Sequence, residues 1–400
     1  MIHSIVRPLQ RCAALAAALV AGCVAVPPPA PPPALPARYA PVAWDDLPGY
    51  AADRVREAWP AVLVGCRKLV AAAATAPLWR APCAAAERAD ANDENALRAL
   101  LREHFSPYAV TGSDGAAEGL VTGYYEPTLR GSRVAGPGFP VPLYAVPDDL
   151  VVVDLASLHP ELAHKRVRGR LDGRRVVPYW TREEIDAGKG AALAPLAFAA
   201  DRMDAFFLEI QGSGRVVLPD GSAMRVGYAD QNGQPYTPVA RVLIERGEMT
   251  REEASMQAIR AWGDRHPHRV PALLRENRSV VFFREVPAPA PGTLEATIDG
   301  PLGALGVPLV AGRAIAVDPR AIPLGAPAWL ATSHPSTGAA LQRLVLAQDT
   351  GGAIRGAVRA DLFWGPGDDA AEQAGRMKAP GRLWLLWPRG APLPGADAVR

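Results

Sequence analysis

Little in this sequence points to a metal. Its seven histidines are scattered, no Cys/His cluster has ligand spacing, and His266-Pro-His268 reads as a loop at a helix end. No metal and no cofactor are expected. Serine–histidine and cysteine–histidine arrangements that mark an acyl-transfer nucleophile are missing too, so peptide cleavage has no support. Excess charge of one sign is absent: 43 basic residues face 41 acidic ones, which leaves no electrostatic case for nucleic acid as a partner. No internal repeat is visible. The apolar run from Cys12 to Cys23 falls well short of the roughly 20 residues that a membrane-spanning helix needs.

What the N-terminus does contain is a short secretion signal. Arg7 and Arg11 form a basic region, the apolar run follows, and Val20-Ala21-Gly22-Cys23 resembles a bacterial lipobox. On that reading residues 1–22 are removed and Cys23 carries lipid. The alternative is an ordinary secreted protein whose cleavage site lies near a cysteine. Two or more acyl chains hold a protein stably at a membrane, because each buried CH₂ contributes about 0.8 kcal/mol. Val24, in place of an aspartate, resembles an outer-membrane address, facing the periplasm of a Gram-negative cell. From Val24 to Pro36 prolines alternate with alanine and valine, a composition that favours extended polyproline II. Residues 23–44 therefore read as a lipidated tether. In an oxidising compartment Cys66 and Cys83 form either one disulfide or two buried thiols.

From about residue 45 the pattern is mostly strand with a few well-punctuated helices. Asn95 to Phe105 sets Leu97, Leu100, Leu101 and Phe105 at helical spacing. Thr181 with Glu184, and Thr250 with Glu253, are capping-box patterns; the first opens a helix closed by Gly188, the second one running to Gly263. Thr237-Pro238 opens another helix that Gly247 ends. Residues 204–210 and 215–218 read as strands around a turn at Gln211–Gly214, and Leu218–Gly221 as a second turn. A β-rich run over 279–286 ends in the proline-rich stretch 287–292, a domain boundary. Beyond it GRAIAVD, LQRLVLAQ and RLWLLW are short apolar strands whose spacing suggests a barrel.

Three aspartates in apolar frames carry the chemistry: Asp318 in GRAIAVDP, Asp349 in LVLAQDTGGAIRG and Asp361 in VRADLFWG. Burying a carboxylate without partners costs several kcal/mol or neutralises it. An acid protonated near pH 7 is what glycosidic-bond cleavage requires. Asp361, between apolar neighbours and with Trp364 near enough to stack on a sugar ring, is the best acid candidate. Asp318 ends a strand before Pro319, so it serves either the site or an Asx-turn.

These frames come with others in a fixed order: TGYYEP from Thr122, DAFFLEIQGSG from Asp204, GYADQNG from Gly227, SMQAIR from Ser255 and VFFR from Val281. Over roughly residues 100–387 the chain resembles the membrane-bound lytic murein transglycosylase A family, with its C-terminal three-aspartate domain. The resemblance implies a mainly β fold with a few helices. A double-psi β-barrel built from both chain ends (45–126 and 288–400) would hold an inserted, smaller β-barrel-like domain (127–287). A groove between the two would take a peptidoglycan strand. It further implies a reaction at the β-1,4 bond between N-acetylmuramic acid and N-acetylglucosamine, leaving a 1,6-anhydromuramoyl end. Asp361 then acts as acid and afterwards as base, with Asp318 and Asp349 lining the site and, by proximity, raising its pKa.

Thr122 and Tyr124 face the groove on this reading, and Gln211 and Ser213 donate hydrogen bonds to sugar groups; for Ser213 plain turn chemistry is the rival role. Tyr125 and Tyr228 are groove walls or core. Two other readings stay open. One is a glycoside hydrolase with Asp349 or Glu209 as the second carboxylate. The other is a non-catalytic peptidoglycan-binding lipoprotein whose aspartates only hold loops.

Overall fold

The computed structural model describes residues 37–159, 162 and 167–395. The expected signal sequence, the expected lipid site at Cys23 and the expected tether up to residue 36 lie outside them. The first part of the chain gives β1 (Ala37–Pro41), helices α1 (Trp59–Ala71), α2 (Ala76–Arg88) and α3 (Glu94–His104), then β2 (Phe105–Gly112) and β3 (Gly119–Glu126). The middle gives β4 (Thr128–Ser132), β5 (Val141–Tyr144), β6 (Val151–Val153), β7 (Val167–Asp172), β8 (Arg175–Val177), α4 (Arg182–Asp186) and β9 (Pro195–Ala199). It continues with α5 (Arg202–Gln211), β10 (Ser213–Val217), β11 (Ala223–Gln231), α6 (Val239–Glu245), α7 (Met256–Arg265), α8 (Val270–Arg275) and β12 (Val281–Glu285). The last part gives β13 (Ala314–Val317), β14 (Pro327–Ser333), β15 (Ala340–Asp349), β16 (Arg359–Pro366), α9 (Asp368–Arg376) and β17 (Lys378–Pro388). The fold is mainly β with several helices.

Strands from both ends of the chain share one sheet, in the order β1-β2-β17-β14-β15-β13-β16-β3. β17 pairs with β3 as well, so the pairings run from β17 through β14, β15, β13, β16 and β3 and return to β17. Two pairs within that cycle are parallel, β13 with β15 and β16 with β3. Strands of the middle part form a second sheet, β12-β11-β10-β4-β9-β5, and β6-β7-β8 make a small third one. All four residues of β13 are buried, as an unbroken Ala-Ile-Ala-Val run demands of a strand covered on both faces. Its core partners include Trp329, Leu346, Leu362 and Leu385. Each such side chain contributes about 1.5–3 kcal/mol when fully buried. Under this sheet a disulfide between Cys66 and Cys83 joins α1 to α2 and resolves the sequence alternative.

Several local signals act as their chemistry requires. The Asp93 carboxylate accepts from the amides of Asn95 and Ala96 and starts α3. Thr181 and Glu184 make both bonds of a capping box at α4. Leu218–Gly221 turns β10 into β11, with Gly221 at φ 83°.

Three expectations are corrected. Residues 204–210 are helical, not a strand, and Gln211–Gly214 is not a hairpin turn: Gln211 ends α5, Gly212 caps it at φ 79° and Ser213 opens β10. Asp201 caps the start of α5 by accepting from Met203 and Asp204, and buried Ala205, Phe206, Phe207 and Leu208 enclose it on several sides. An apolar run buried all round has lost the stripe that tells helix from strand. The Thr250–Glu253 bonds form, but α7 starts at Ser255, whose hydroxyl accepts from Ala258. Ala37 to Pro41, expected to belong to the tether, form β1 and pair with β2. Among the described residues no helix is long and apolar enough to cross a membrane.

Candidate active site

Strand register assembles the site. β16 lies between β13 and β3, and Asp361 is paired with Ala316 on one side and Thr122 on the other. An extra residue in β15, Gln348, makes the same Ala316 the partner of Asp349 at the end of β15. Asp349 and Asp361 are therefore held on either side of one strand, their backbones roughly 10 Å apart across the sheet. The surrounding side chains are apolar: Leu309, Ala314, Ile354 and Phe363 cluster with Tyr124.

Within that setting Asp361 has one hydrogen-bond partner that fixes its orientation. The Thr122 hydroxyl donates to its Oδ1 at 2.6 Å. Burial pushes the Asp361 carboxyl up to about 6, against the opposing pull of the Thr122 bond and the Arg359 charge. Asp349 adds the smallest of these contributions. Asp349 itself is raised by burial, although Oδ1 accepts from the amides of Ala304 and Thr350 and Oδ2 from the Tyr124 hydroxyl at 3.0 Å. Burial, reinforced by the two carboxyls, keeps Tyr124 protonated far above its ordinary range.

Asp318 differs. It is 1% exposed, receives both nitrogens of the Arg320 fork at 2.9 and 2.6 Å, and accepts the Gly356 amide at 2.9 Å. These bonds hold its carboxyl below the ordinary range in spite of burial. It has no share in the shift of Asp361, so mutual repulsion of three carboxylates is not what raises the Asp361 pKa. The amide of Arg320 also bonds to Asp318, the Asx-turn arrangement.

The other sequence candidates fall at graded distances from this centre. Thr122 and Tyr124 touch the carboxyls directly. Gln211 accepts the Tyr125 amide at 3.2 Å and directs its Nε2 to Met256 Sδ, so its amide ties α5 and α7 to β3. Ser213 is half-buried opposite Gly227. Tyr125 is core, packed with Ala370 and Ala374. Trp364 is corrected: its indole donates to Met377 Sδ and packs edge-on against His334, away from the Asp361 face of the strand. Glu209 is clamped by both Arg182 nitrogens and the Val281 amide, and Glu126 by Arg215. Neither is free to act as a second carboxylate. Arg359 joins the site residues, and its only signal in the sequence is a position two residues before Asp361 on a strand. Among the described residues no group of three or more His, Cys, Asp or Glu is placed to hold a metal ion.

The chain is similar to known proteins over most of its length. The family model described as the MltA specific insert domain matches residues 120–284, and the 3D domain model matches residues 313–387. The membrane-bound lytic murein transglycosylase A of Escherichia coli strain K12 is 33% identical over 287 residues, 70% of this chain and 68% of that protein. The crystal structure of MltA from Neisseria gonorrhoeae is similar at a TM-score of 0.75 and 35% identity, over 89% of this chain and 92% of that one. The E. coli MltA structure with bound chitohexaose is similar at 0.64 and 26% identity, over 88% of this chain and 95% of that one. The chain belongs to the membrane-bound lytic murein transglycosylase A family.

Proposed function

We propose that this protein is a lytic transglycosylase that cleaves peptidoglycan at the β-1,4 bond after N-acetylmuramic acid, with Asp361 as its single acid and base. One observation carries the reading: a desolvated carboxyl raised to about 6, oriented by Thr122, among carboxylates that are otherwise fully engaged. A two-carboxylate hydrolase needs a second group free to activate water. Glu209 and Glu126 are held in ion pairs and Asp349 accepts from three donors, which leaves the intramolecular route. Asp361 donates its proton to the glycosidic oxygen as the C1–O bond breaks. The resulting carboxylate removes the proton of the C6 hydroxyl, whose oxygen bonds to C1. The proton returns to Asp361, and the sugar ends as a 1,6-anhydro ring without water. Asp349, where ionised, stabilises the positive charge that develops on the ring.

The same reading takes the closed cycle of strand pairings, with its two parallel pairs, as a double-psi β-barrel. It divides the chain into that barrel and an inserted domain over 127–287, with the glycan groove between them. Thr122, Tyr124, Gln211 and Ser213 line the groove, and binding of chitohexaose by the E. coli relative supports a glycan there. Lipid on Cys23 anchors the protein to the outer membrane, facing the periplasm; the membrane-bound name of the relatives supports this. The test is Asp361→Asn. Retained binding to purified sacculi with loss of lysis is expected, and full lytic activity in the variant would refute the assignment.

A further inference from the structure

Arg359 is the residue of the site that the proposed reaction leaves without a role. It lies two residues before Asp361 on β16, hence on the same face of the strand. Its Nη2 donates to Thr122 Oγ1 at 2.9 Å, and its Nη1 donates to the carbonyls of Leu120 and Ala360. The guanidinium is thus held by the backbone of β3 and β16 and points one N–H at the hydroxyl that touches Asp361.

A guanidinium donates and never accepts. Thr122 Oγ1 accepts from Arg359 and donates its own proton to Asp361 Oδ1. With Oδ1 occupied as an acceptor, the acid proton is left to Oδ2. We infer that Arg359 is a positioning residue for the transglycosylase reaction: it sets the direction of the Thr122 hydroxyl and so fixes the oxygen of Asp361 on which the transferable proton sits. The inference rests on Asp361 being the acid.

Charge acts along the same line. The charged and titratable groups facing Asp361 are Arg359 on its own strand, Tyr124 from β3 and Asp349 from β15; Lys378, paired with Thr122 from β17, is exposed to solvent. The Arg359 charge and the Thr122 bond both lower the Asp361 pKa. The protonated acid is the active form, so activity is lost as pH rises through that pKa. Removing Arg359 takes away its charge and leaves the Thr122 hydroxyl free to turn from Asp361, so the alkaline limb moves up in pH while the maximal rate falls. Mere misfolding lowers the rate without moving the limb.

The experiment is a pH–rate profile of 1,6-anhydro-end formation from purified sacculi. It compares the wild type, Arg359→Met, Arg359→Lys, Thr122→Val and the Arg359→Met/Thr122→Val double variant. Loss of one charge-assisted bond predicts a drop in kcat of about tenfold for Arg359→Met, with the limb displaced upward. Arg359→Lys, which keeps the charge, should hold the limb closer to that of the wild type, and it carries the test should the Met variant fail to fold. In the Thr122→Val background Arg359→Met should change kcat by less than about twofold, because the hydroxyl it directs is gone. An unmoved or lowered limb, or the same loss of kcat with and without Thr122, overturns the inference. A wild type that forms no anhydro ends overturns the underlying reading instead.

Discussion

Asp361 holds its proton to higher pH than an ordinary carboxyl because desolvation among apolar neighbours disfavours its charged form, and that leaves a thermodynamic mark. Its folded-state pKa of about 6 lies above the ordinary 3.8, so the protein loses stability as pH rises through the interval between them. A shift of that size corresponds to roughly 3 kcal/mol. Asp361→Asn, which never ionises, should therefore melt above the wild type at pH 8, and the gap should close at about pH 4; thermal unfolding across pH reads this directly. Asp318 has the opposite sign. Its depressed pKa means that its bonds to Arg320 and Gly356 stabilise the fold at neutral pH and are lost as pH falls through the carboxylate range. Asp318→Ala is expected to cost on the order of 2 kcal/mol, with reduced activity but an alkaline limb where the wild type has it. A displaced limb in that variant would mean that Asp318 acts on the acid after all.

At the scale of elements, the disulfide and the misread helix are the instructive cases. Cys66 and Cys83, 17 positions apart, staple α1 to α2. Closing a loop of that length in the unfolded chain contributes about 3 kcal/mol. The Cys66→Ala/Cys83→Ala variant should lower the urea midpoint by a corresponding amount, and an unchanged midpoint would deny the staple a role in stability. Much of the last quarter was legible because its strands are short, apolar and set off by Gly and Pro: β13, β15 and β17 stand where GRAIAVD, LQRLVLAQ and RLWLLW put them. α5 was not legible from its apolar run, and only the Asp201 cap and Gly212 signal it. The Thr250 box shows the converse: its bonds form without a helix, since a local pattern does not secure the turns beyond it. Trp364 was misplaced by nearness in sequence, because strand alternation turns it away from Asp361. Arg359 has no sequence signal beyond its place two residues before Asp361; the β16–β3 register is what brings it to Thr122.

Across the whole molecule, the chain leaves the eight-stranded sheet at Glu126 and comes back through Asp299, and Arg215 of the second sheet binds both. Glu126 is 1% exposed, so removing its partner strands a buried charge. Arg215→Met is expected to cost roughly 3–5 kcal/mol, and adding Glu126→Gln should recover part of it in urea titrations. β3, which carries Thr122 and Tyr124, is thus tied at its far end to β10 by Arg215–Glu126 and to α5 by Gln211–Tyr125. The account as a whole turns on Asp361 serving both halves of one intramolecular reaction. Digestion of purified sacculi in ¹⁸O-water, followed by mass analysis of the released muropeptides, tests it most directly. The wild type should yield 1,6-anhydromuramoyl ends without ¹⁸O, and Asp361→Asn none. Reducing ends that carry ¹⁸O would show hydrolysis and contradict the account.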